Sequence, residues 1–154
     1  DAEAWVRLSA CLFQAGATMM VFLIGRRLYG GATGLAAAAL YALMPGIQLS
    51  ALVAATDAPL LFFLGVTILA YVTLLEGGVR RRVLVAAGLG AALGLAFLSK
   101  YAAVYFVVGL VIHLALSRDA RATWSPSLAA AALGAFGAVL APNLAWNEIG
   151  RAHV

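Results

Sequence analysis

Short polar breaks divide this chain into apolar stretches, each close to the length of a membrane-spanning helix. A helix rises about 1.5 Å per residue, so roughly 20 apolar residues cross the hydrocarbon core of a bilayer. Hydrophobic residues make up 65% of the 154 positions and charged residues only 10%, whereas a soluble domain carries about a quarter charged residues. A water-soluble fold of this length could not hide so much apolar surface. The sequence therefore predicts an all-α, polytopic membrane protein.

About six apolar segments are candidate spans, and together they predict a single transmembrane domain over residues 1–147. They cover roughly residues 8–25, 31–50, 58–76, 83–99, 102–117 and 127–142. Pro45 breaks or kinks the second segment, and Pro142 is the expected end of the sixth, because proline has no backbone N–H to donate. Only Ser99-Lys100-Tyr101 separates the fourth segment from the fifth. A tight turn is expected there, since one continuous helix would be too long for a single crossing.

Seven of the nine arginines in the chain lie between alternate spans. The arginines between spans are Arg26, Arg27, Arg80, Arg81, Arg82, Arg118 and Arg121. Strict alternation places all of them on one face, which the positive-inside rule makes cytoplasmic. The opposite, outward face then receives Arg7, Asp57 and Lys100, together with Asn143 and Asn147. This placement accounts for the net charge of +4 and argues against nucleic-acid binding. It predicts an integral protein of a bacterial inner or plasma membrane.

Other residues that could have a functional role indicate one less clearly. Cys11 is the one cysteine in the sequence, so an intrachain disulfide is excluded and a small apolar role in a helix is expected. No His, Asp or Glu cluster has metal-ligand spacing. His113, alone in an apolar segment, is expected to be a hydrogen-bonded packing residue. Gly90 and Gly94 form a GxxxG pattern, which close helix packing explains.

Each residue of the outward face has a structural and a functional interpretation. Asp57 follows Thr56 at the start of a span. Its carboxylate either caps the helix or has a functional role at membrane depth. Lys100 either extends its ammonium to the interface or contacts a phosphate. Arg7 allows the same two interpretations, since arginine holds phosphate with two hydrogen bonds. Tyr101 fits an interfacial aromatic belt or the wall of a groove.

Four segments of the chain resemble family 39 glycosyltransferases, which include protein O-mannosyltransferases and lipid A aminoarabinose transferases. The first begins Arg7-Leu8-Ser9-Ala10, and the second is Thr56-Asp57-Ala58-Pro59-Leu60, similar to that family's TDAPL segment. The third, Gly94-Leu95-Ala96-Phe97-Leu98-Ser99-Lys100-Tyr101, resembles GLAFLTKY. The fourth, Pro142-Asn143-Leu144-Ala145-Trp146-Asn147, resembles PNLLWN. The four occur in the family's order and cover nearly the whole chain.

The resemblance implies part of a C-type glycosyltransferase membrane domain. Such an enzyme transfers a sugar from a polyprenyl-phosphate donor to a lipid, glycan or protein acceptor at the outer face of the membrane. Arg7, Asp57, Lys100 and Tyr101 would surround the donor phosphate or organise the site. The resemblance places the catalytic base upstream of Asp1, and it leaves a divalent metal open in the intact enzyme.

Two further expectations concern the extent of the chain. The four segments that resemble the family indicate that the chain is an internal fragment, which alone would be inactive. Residues 148–154 resemble the translation of a sequencing adapter and are expected to be a non-native tail.

The alternatives are a fragment of a transporter or permease and a purely structural membrane subunit. A transporter predicts charged or polar residues in mid-membrane, or broken helices at corresponding positions. A structural subunit gives no reason for Asp57 and Lys100 to share one face.

Overall fold

The computed structural model describes residues 2–52 and 56–152, and this part of the protein is helical. About 91% of the chain is helical, with no strand in the described ranges. The helices are α1 (Ala2–Tyr29), α2 (Gly31–Leu43), α3 (Pro45–Leu52), α4 (Asp57–Glu76), α5 (Arg82–Ser99), α6 (Val104–Leu116), α7 (Arg118–Thr123) and α8 (Pro126–Ala152), with a 3-10 turn at Tyr101–Ala103. The prediction of an all-α membrane protein is confirmed.

Four helices in the described ranges are long and apolar enough to cross a bilayer. These segments are Leu8–Tyr29, Asp57–Glu76, Arg82–Ser99 and Pro126–Glu148. The segments Gly31–Leu43 and Tyr101–Leu116 are apolar but shorter. Of the six segments expected from the sequence, four therefore coincide with helices of spanning length.

The second expected span, residues 31–50, is interrupted. Met44 adopts an extended conformation between α2 and α3, with φ −62° and ψ 127°. Pro45 follows, and the ring of a proline disfavours helical geometry at the preceding residue. The proline break anticipated there is present, and α3 is a separate short helix.

The sixth span continues past its expected end. Helix α8 passes through Pro142 and runs on to Ala152, so the expectation that Pro142 ends this helix was wrong. A proline removes one hydrogen bond from a helix, but membrane helices tolerate that loss because neighbouring groups and local adjustments satisfy the freed carbonyl. The continuation keeps the polar residues after Pro142 on a regular helical surface.

Helix α5 lies at the centre of the bundle, with its most extensive contacts to α8 and α4. Gly90 and Gly94 allow this approach. A Cβ atom at Gly90 would overlap the carbonyl oxygen of Ala132 in α8, and one at Gly94 would lie 2.9 Å from the Cβ of Val139. Helices in lipid associate largely through such close packing of small residues. The GxxxG pattern thus joins α5 to α8.

Arginines at one end of the bundle bind neighbouring helix ends; we call this the arginine end. Arg27 contacts Glu76 at 3.3 Å. Arg82 donates to the carbonyl oxygen of Thr123 at 2.9 Å, and Arg121 donates to that of Leu114 at 2.7 Å. Basic groups near the carbonyl ends of helices satisfy unpaired acceptors. These contacts give three of the arginines structural roles.

His113 is a packing residue with a hydrogen-bond partner, as expected. The hydroxyl of Tyr71 in α4 lies 2.6 Å from its Nδ1 atom. The ring of Trp124 stacks on Tyr71 with the centroids 6.4 Å apart. The three side chains join α6 and the segment after α7 to α4.

Candidate functional site

The turn at Lys100 forms because small residues allow the chain to reverse over α4. Lys100 is extended, with φ −163° and ψ 134°, and its backbone N–H donates to the carbonyl of Ala96 at 3.0 Å. Ala103, on the far side of the turn, donates to the carbonyl of Lys100 at 3.1 Å. Ala96 and Ala103 are fully buried and pack with Leu60 of α4. This small core fixes the position of the Lys100 backbone next to the start of α4.

Asp57 and Lys100 form an ion pair at this end of the bundle, which we call the Lys100 end. The Nζ atom of Lys100 lies 2.6 Å from Oδ1 of Asp57. The side chain of Lys100 is 49% exposed and that of Asp57 is 43% exposed. A half-exposed pair of this kind stabilises a fold by only about 0–1 kcal/mol. The pairing therefore places two opposite charges at an accessible position without being a major source of stability.

Asp57 lies inside α4 and does not occupy its capping position. The capping position of α4 is Thr56, whose side chain makes no capping hydrogen bond, and Asp57 is the first residue of the helix. A carboxylate in the first turn is favoured by the helix dipole, and the carboxylate of Asp57 also accepts a hydrogen bond from Lys100. Asp57 thus contributes charge to the Lys100 end.

A cleft of about 380 Å³ opens beside Lys100, between the end of α5 and the later part of α8. Its polar lining comprises Ser99, Lys100, Tyr101, Asn143 and Asn147. We call it the Lys100 cleft. Its size falls within the range of about 300–1,000 Å³ that small-molecule sites occupy. The cleft brings a cation and two side-chain amides to one accessible place.

Asn143 and Asn147 lie one turn apart on the same face of α8. The Nδ2 atom of Asn147 donates to Oδ1 of Asn143 at 3.1 Å. Each amide carries two N–H donors, and this contact uses one of the four. The sequence placed both residues on the outward face but assigned them no role. Their spacing of four residues could have indicated a shared helix face. The expected end of the helix at Pro142 excluded that interpretation.

Of the other two predicted site residues, the structure describes the side chain of Tyr101 but not that of Arg7. Tyr101 lines the Lys100 cleft and is 80% exposed, so its ring is available both to a ligand and to the membrane interface. Arg7 belongs to α1, but its side chain lies outside the described part of the structure. Its contact with a phosphate remains a prediction.

The described residues offer no three-ligand metal site. Among residues 2–52 and 56–152, no three His, Cys, Asp or Glu side chains are grouped closely enough to hold a metal ion. Asp57, the carboxylate beside the Lys100 cleft, is paired with Lys100. The groups in this cleft fit an anion better than a divalent cation.

The sequence of the chain matches one described protein family and a curated relative. Residues 1–146 match the family described as dolichyl-phosphate-mannose-protein mannosyltransferase. The lipid A galacturonosyltransferase RgtD of Rhizobium johnstonii is 37% identical over 151 residues, which are 96% of this chain and 30% of that relative. The chain thus spans less than a third of the relative's length. No solved structure matches it. The resemblance to family 39 glycosyltransferases is confirmed, and the chain belongs to the dolichyl-phosphate-mannose-protein mannosyltransferase family.

Proposed function

We propose that this chain is part of a membrane glycosyltransferase that moves a sugar from a polyprenyl-phosphate donor to an acceptor at the outer face of the membrane. The family match supports glycosyl transfer, and the name of the relative describes transfer of a galacturonosyl group to lipid A. The observation that carries the proposal is the Asp57–Lys100 pair beside the Lys100 cleft. In this proposal the cleft holds the phosphate of the donor.

The chemistry of such a transfer requires positive charge at the donor phosphate. The bond between the anomeric carbon of the sugar and a phosphate oxygen breaks, and the electron pair leaves with the lipid phosphate. The acceptor oxygen forms the new bond to that carbon and gives its proton to a base. Preorganised donors stabilise charge that develops on a leaving group. Lys100 supplies this charge, while the base is expected upstream of Asp1.

Asp57 acts as a positioning residue for Lys100. A lysine side chain is long and flexible, and its ammonium is a strongly hydrated point charge. The 2.6 Å contact with Asp57 holds the ammonium at the mouth of the cleft. Because both side chains are about half exposed, the ammonium is accessible to a phosphate while it remains paired. Asn143 and Asn147 add uncharged N–H donors on the opposite wall.

We propose that the arginine end of the protein lies in the cytoplasm. Seven arginines lie in the loops and helix ends between alternate spans, and the positive-inside rule assigns such loops to the cytoplasmic side. The Lys100 end then faces outward from a bacterial inner or plasma membrane, where a lipid-linked donor and an envelope acceptor can meet.

Binding of the donor's lipid phosphate tests the phosphate site. The full-length protein in lipid nanodiscs is expected to bind a polyprenyl phosphate more tightly than the matching polyprenol. Lys100→Met should reduce that preference about tenfold or more, since hydrogen bonds to charged groups contribute about 1.5–3 kcal/mol and 1.4 kcal/mol corresponds to tenfold. Equilibrium binding with fluorescent lipids measures both affinities.

The control for this test is Tyr105→Phe. Tyr105 is exposed near the same turn but does not line the Lys100 cleft, so its variant should keep the wild-type preference. Equal binding of the phosphate and the alcohol by the wild-type protein would contradict the site. An unchanged preference in Lys100→Met would contradict it as well.

A further inference from the structure

Helix α6 stands away from the rest of the bundle. None of its residues is buried, and its most extensive contacts are with α7 and with the 3-10 turn that precedes it. A groove of about 300 Å³ therefore remains between α6 and the pair of helices α5 and α8. We call it the α6 groove. Its walls include Leu93 of α5, Val107, Leu110 and Leu114 of α6, and Leu133 and Phe136 of α8.

The α6 groove is apolar and opens sideways, toward the hydrocarbon of the bilayer. Val111 of α6 and Leu133 of α8 both line it, and they are 59% and 69% exposed. Among the described residues that line it, none carries a hydroxyl, an amide or a charge on its side chain. A polar group placed there would lose its hydrogen bonds to water without replacement. A hydrocarbon chain has no such cost.

The α6 groove lies in the half of the bundle nearest the arginine end. Along α6 its lining extends from Val107 to Leu114, close to the end of that helix, and along α8 it extends from Ala129 to Phe136, close to the start of that helix. Each stretch is about 10 Å long at 1.5 Å per residue. One leaflet contributes about half of the roughly 30 Å hydrocarbon core. The groove therefore fits the depth of the leaflet on the arginine side.

A guanidinium group lies where the groove meets the arginine end. The Nη1 atom of Arg121 donates to the carbonyl oxygens of Leu114 at 2.7 Å and Ala115 at 2.5 Å, and Leu114 lines the groove. Arg121 is exposed, and no residue in the described part of the chain pairs with its Nε or Nη2 atom. Arginine binds a phosphate with two parallel hydrogen bonds. Arg121 therefore offers donors to a phosphate at the end of the groove.

Positive charge predominates around this end of the groove. Arg82 donates at 2.9 Å to the backbone carbonyl of the residue before Trp124, and Trp124 lines the groove. Arg118, the first residue of α7, is exposed, as is Asp119, the acidic residue of that helix. Together with Arg121, the arginines outnumber the single carboxylate. Basic pockets between membrane helices bind the headgroups of anionic lipids.

We infer that the α6 groove holds one acyl chain of an anionic phospholipid from the leaflet on the arginine side, with the phosphate of that lipid on Arg121. The apolar lining and its depth fit the chain, and the guanidinium at its end fits the phosphate. The Lys100 cleft lies at the opposite end of the bundle, so this lipid is distinct from the donor in the proposed function. The inference does not rest on glycosyl transfer, since it concerns a bilayer lipid alone.

Native mass spectrometry of the full-length protein tests this inference. The protein is delipidated in a mild detergent and titrated with dioleoyl phosphatidylglycerol or with dioleoyl phosphatidylcholine. The two lipids have identical chains and differ in the net charge of the headgroup. Phosphatidylglycerol is expected to fill one preferred site with an affinity about fivefold higher or more, since one basic group beside an anionic lipid contributes about that factor.

Two substitutions in α6 connect the preferred site to the groove. Val111→Trp places an indole ring in the groove and should abolish the preferred site. Val108→Trp is the matched control, because Val108 belongs to the same helix, is 50% exposed and does not line the groove. It should bind phosphatidylglycerol as the wild-type protein does.

Two further substitutions connect the lipid preference to one guanidinium. Arg121→Gln should reduce the preference for phosphatidylglycerol about fivefold. Arg26→Gln is its control, because Arg26 is exposed at the same end of the bundle but belongs to α1. That helix makes no extensive contact with α6, α7 or α8, so the preference should stay at the wild-type value.

Several results would contradict the inference. Equal affinity of the wild-type protein for the two lipids would overturn it. So would an unchanged preferred site in Val111→Trp, as expected if another span of the full-length protein fills the groove. Equal effects of Arg26→Gln and Arg121→Gln would assign the preference to overall charge, and displacement of phosphatidylglycerol by equimolar polyprenyl phosphate would assign the groove to the donor; either rules the proposal out. Thermal unfolding shows whether each variant is folded, and if Val111→Trp is not, the comparison of Arg121→Gln with Arg26→Gln decides.

Discussion

Replacing Lys100 by methionine in the full-length protein is expected to lower kcat/KM for sugar transfer by about 10²–10³-fold. Removal of one preorganised donor to a developing negative charge typically costs this much. Methionine retains much of the length and the apolar stem of lysine but has no ammonium. The loss should fall mainly on kcat, because charge on the phosphate increases as the bond to the sugar breaks. Initial rates at varied donor concentration measure both constants.

Three companion variants separate charge from position at the Lys100 end. Lys100→Arg keeps a cation and should retain more activity than Lys100→Met, although its fork geometry differs. Asp57→Asn should reduce kcat less than Lys100→Met, since it loosens the ammonium without removing it. Tyr105→Phe should match the wild-type enzyme. Wild-type rates in both Lys100→Met and Asp57→Asn would exclude these residues from the site.

Replacing Gly90 by leucine is expected to prevent α5 from packing against α8. A Cβ atom there would overlap the carbonyl oxygen of Ala132, and a backbone atom cannot rotate away as a side chain can. Overpacking in a closely packed interface costs about 1–3 kcal/mol and occasionally more. Since α5 has its largest contact with α8, we expect a lower unfolding temperature or no folded protein. Thermal unfolding in detergent measures the change.

Gly88 provides the matched control for this substitution. It lies two residues before Gly90 in the same helix, and a Cβ atom there would have no neighbour within 4 Å. Gly88→Leu should therefore unfold at or above the wild-type temperature. Equal destabilisation by the two substitutions would show that loss of glycine in α5, and not contact with Ala132, determines stability.

Charge placement predicted the arrangement of the Lys100 end more fully than any local motif. Alternation of the spans brought Asp57 and Lys100 to one face although they are 43 residues apart in the sequence. The turn at Lys100 followed from the length limit on a membrane helix. That the two side chains would touch did not follow, because contact depends on the buried packing of Ala96 and Ala103 against α4.

Features that depend on packing between distant helices were not predictable from the sequence. The hydrogen bond between Gln14 and Tyr41 joins residues that are 27 positions apart. Each lies within an apolar segment, so neither is recognisable from the sequence as a packing or site residue. The extension of α8 beyond Pro142 was missed because proline is a reliable helix end in water. In a membrane helix the same residue is tolerated, and the wall of the Lys100 cleft depends on that difference.

The most direct test of the central claim follows the fate of a labelled donor. The full-length protein is reconstituted into vesicles of known orientation and supplied with a polyprenyl-phosphate sugar labelled in the sugar, together with an extract of bacterial envelope lipids. We predict that label appears in an acceptor lipid, with one polyprenyl phosphate released per sugar transferred, when donor and acceptor are on the Lys100 side. Accumulation of a solute inside the vesicles without consumption of the donor would contradict glycosyl transfer and support a transporter.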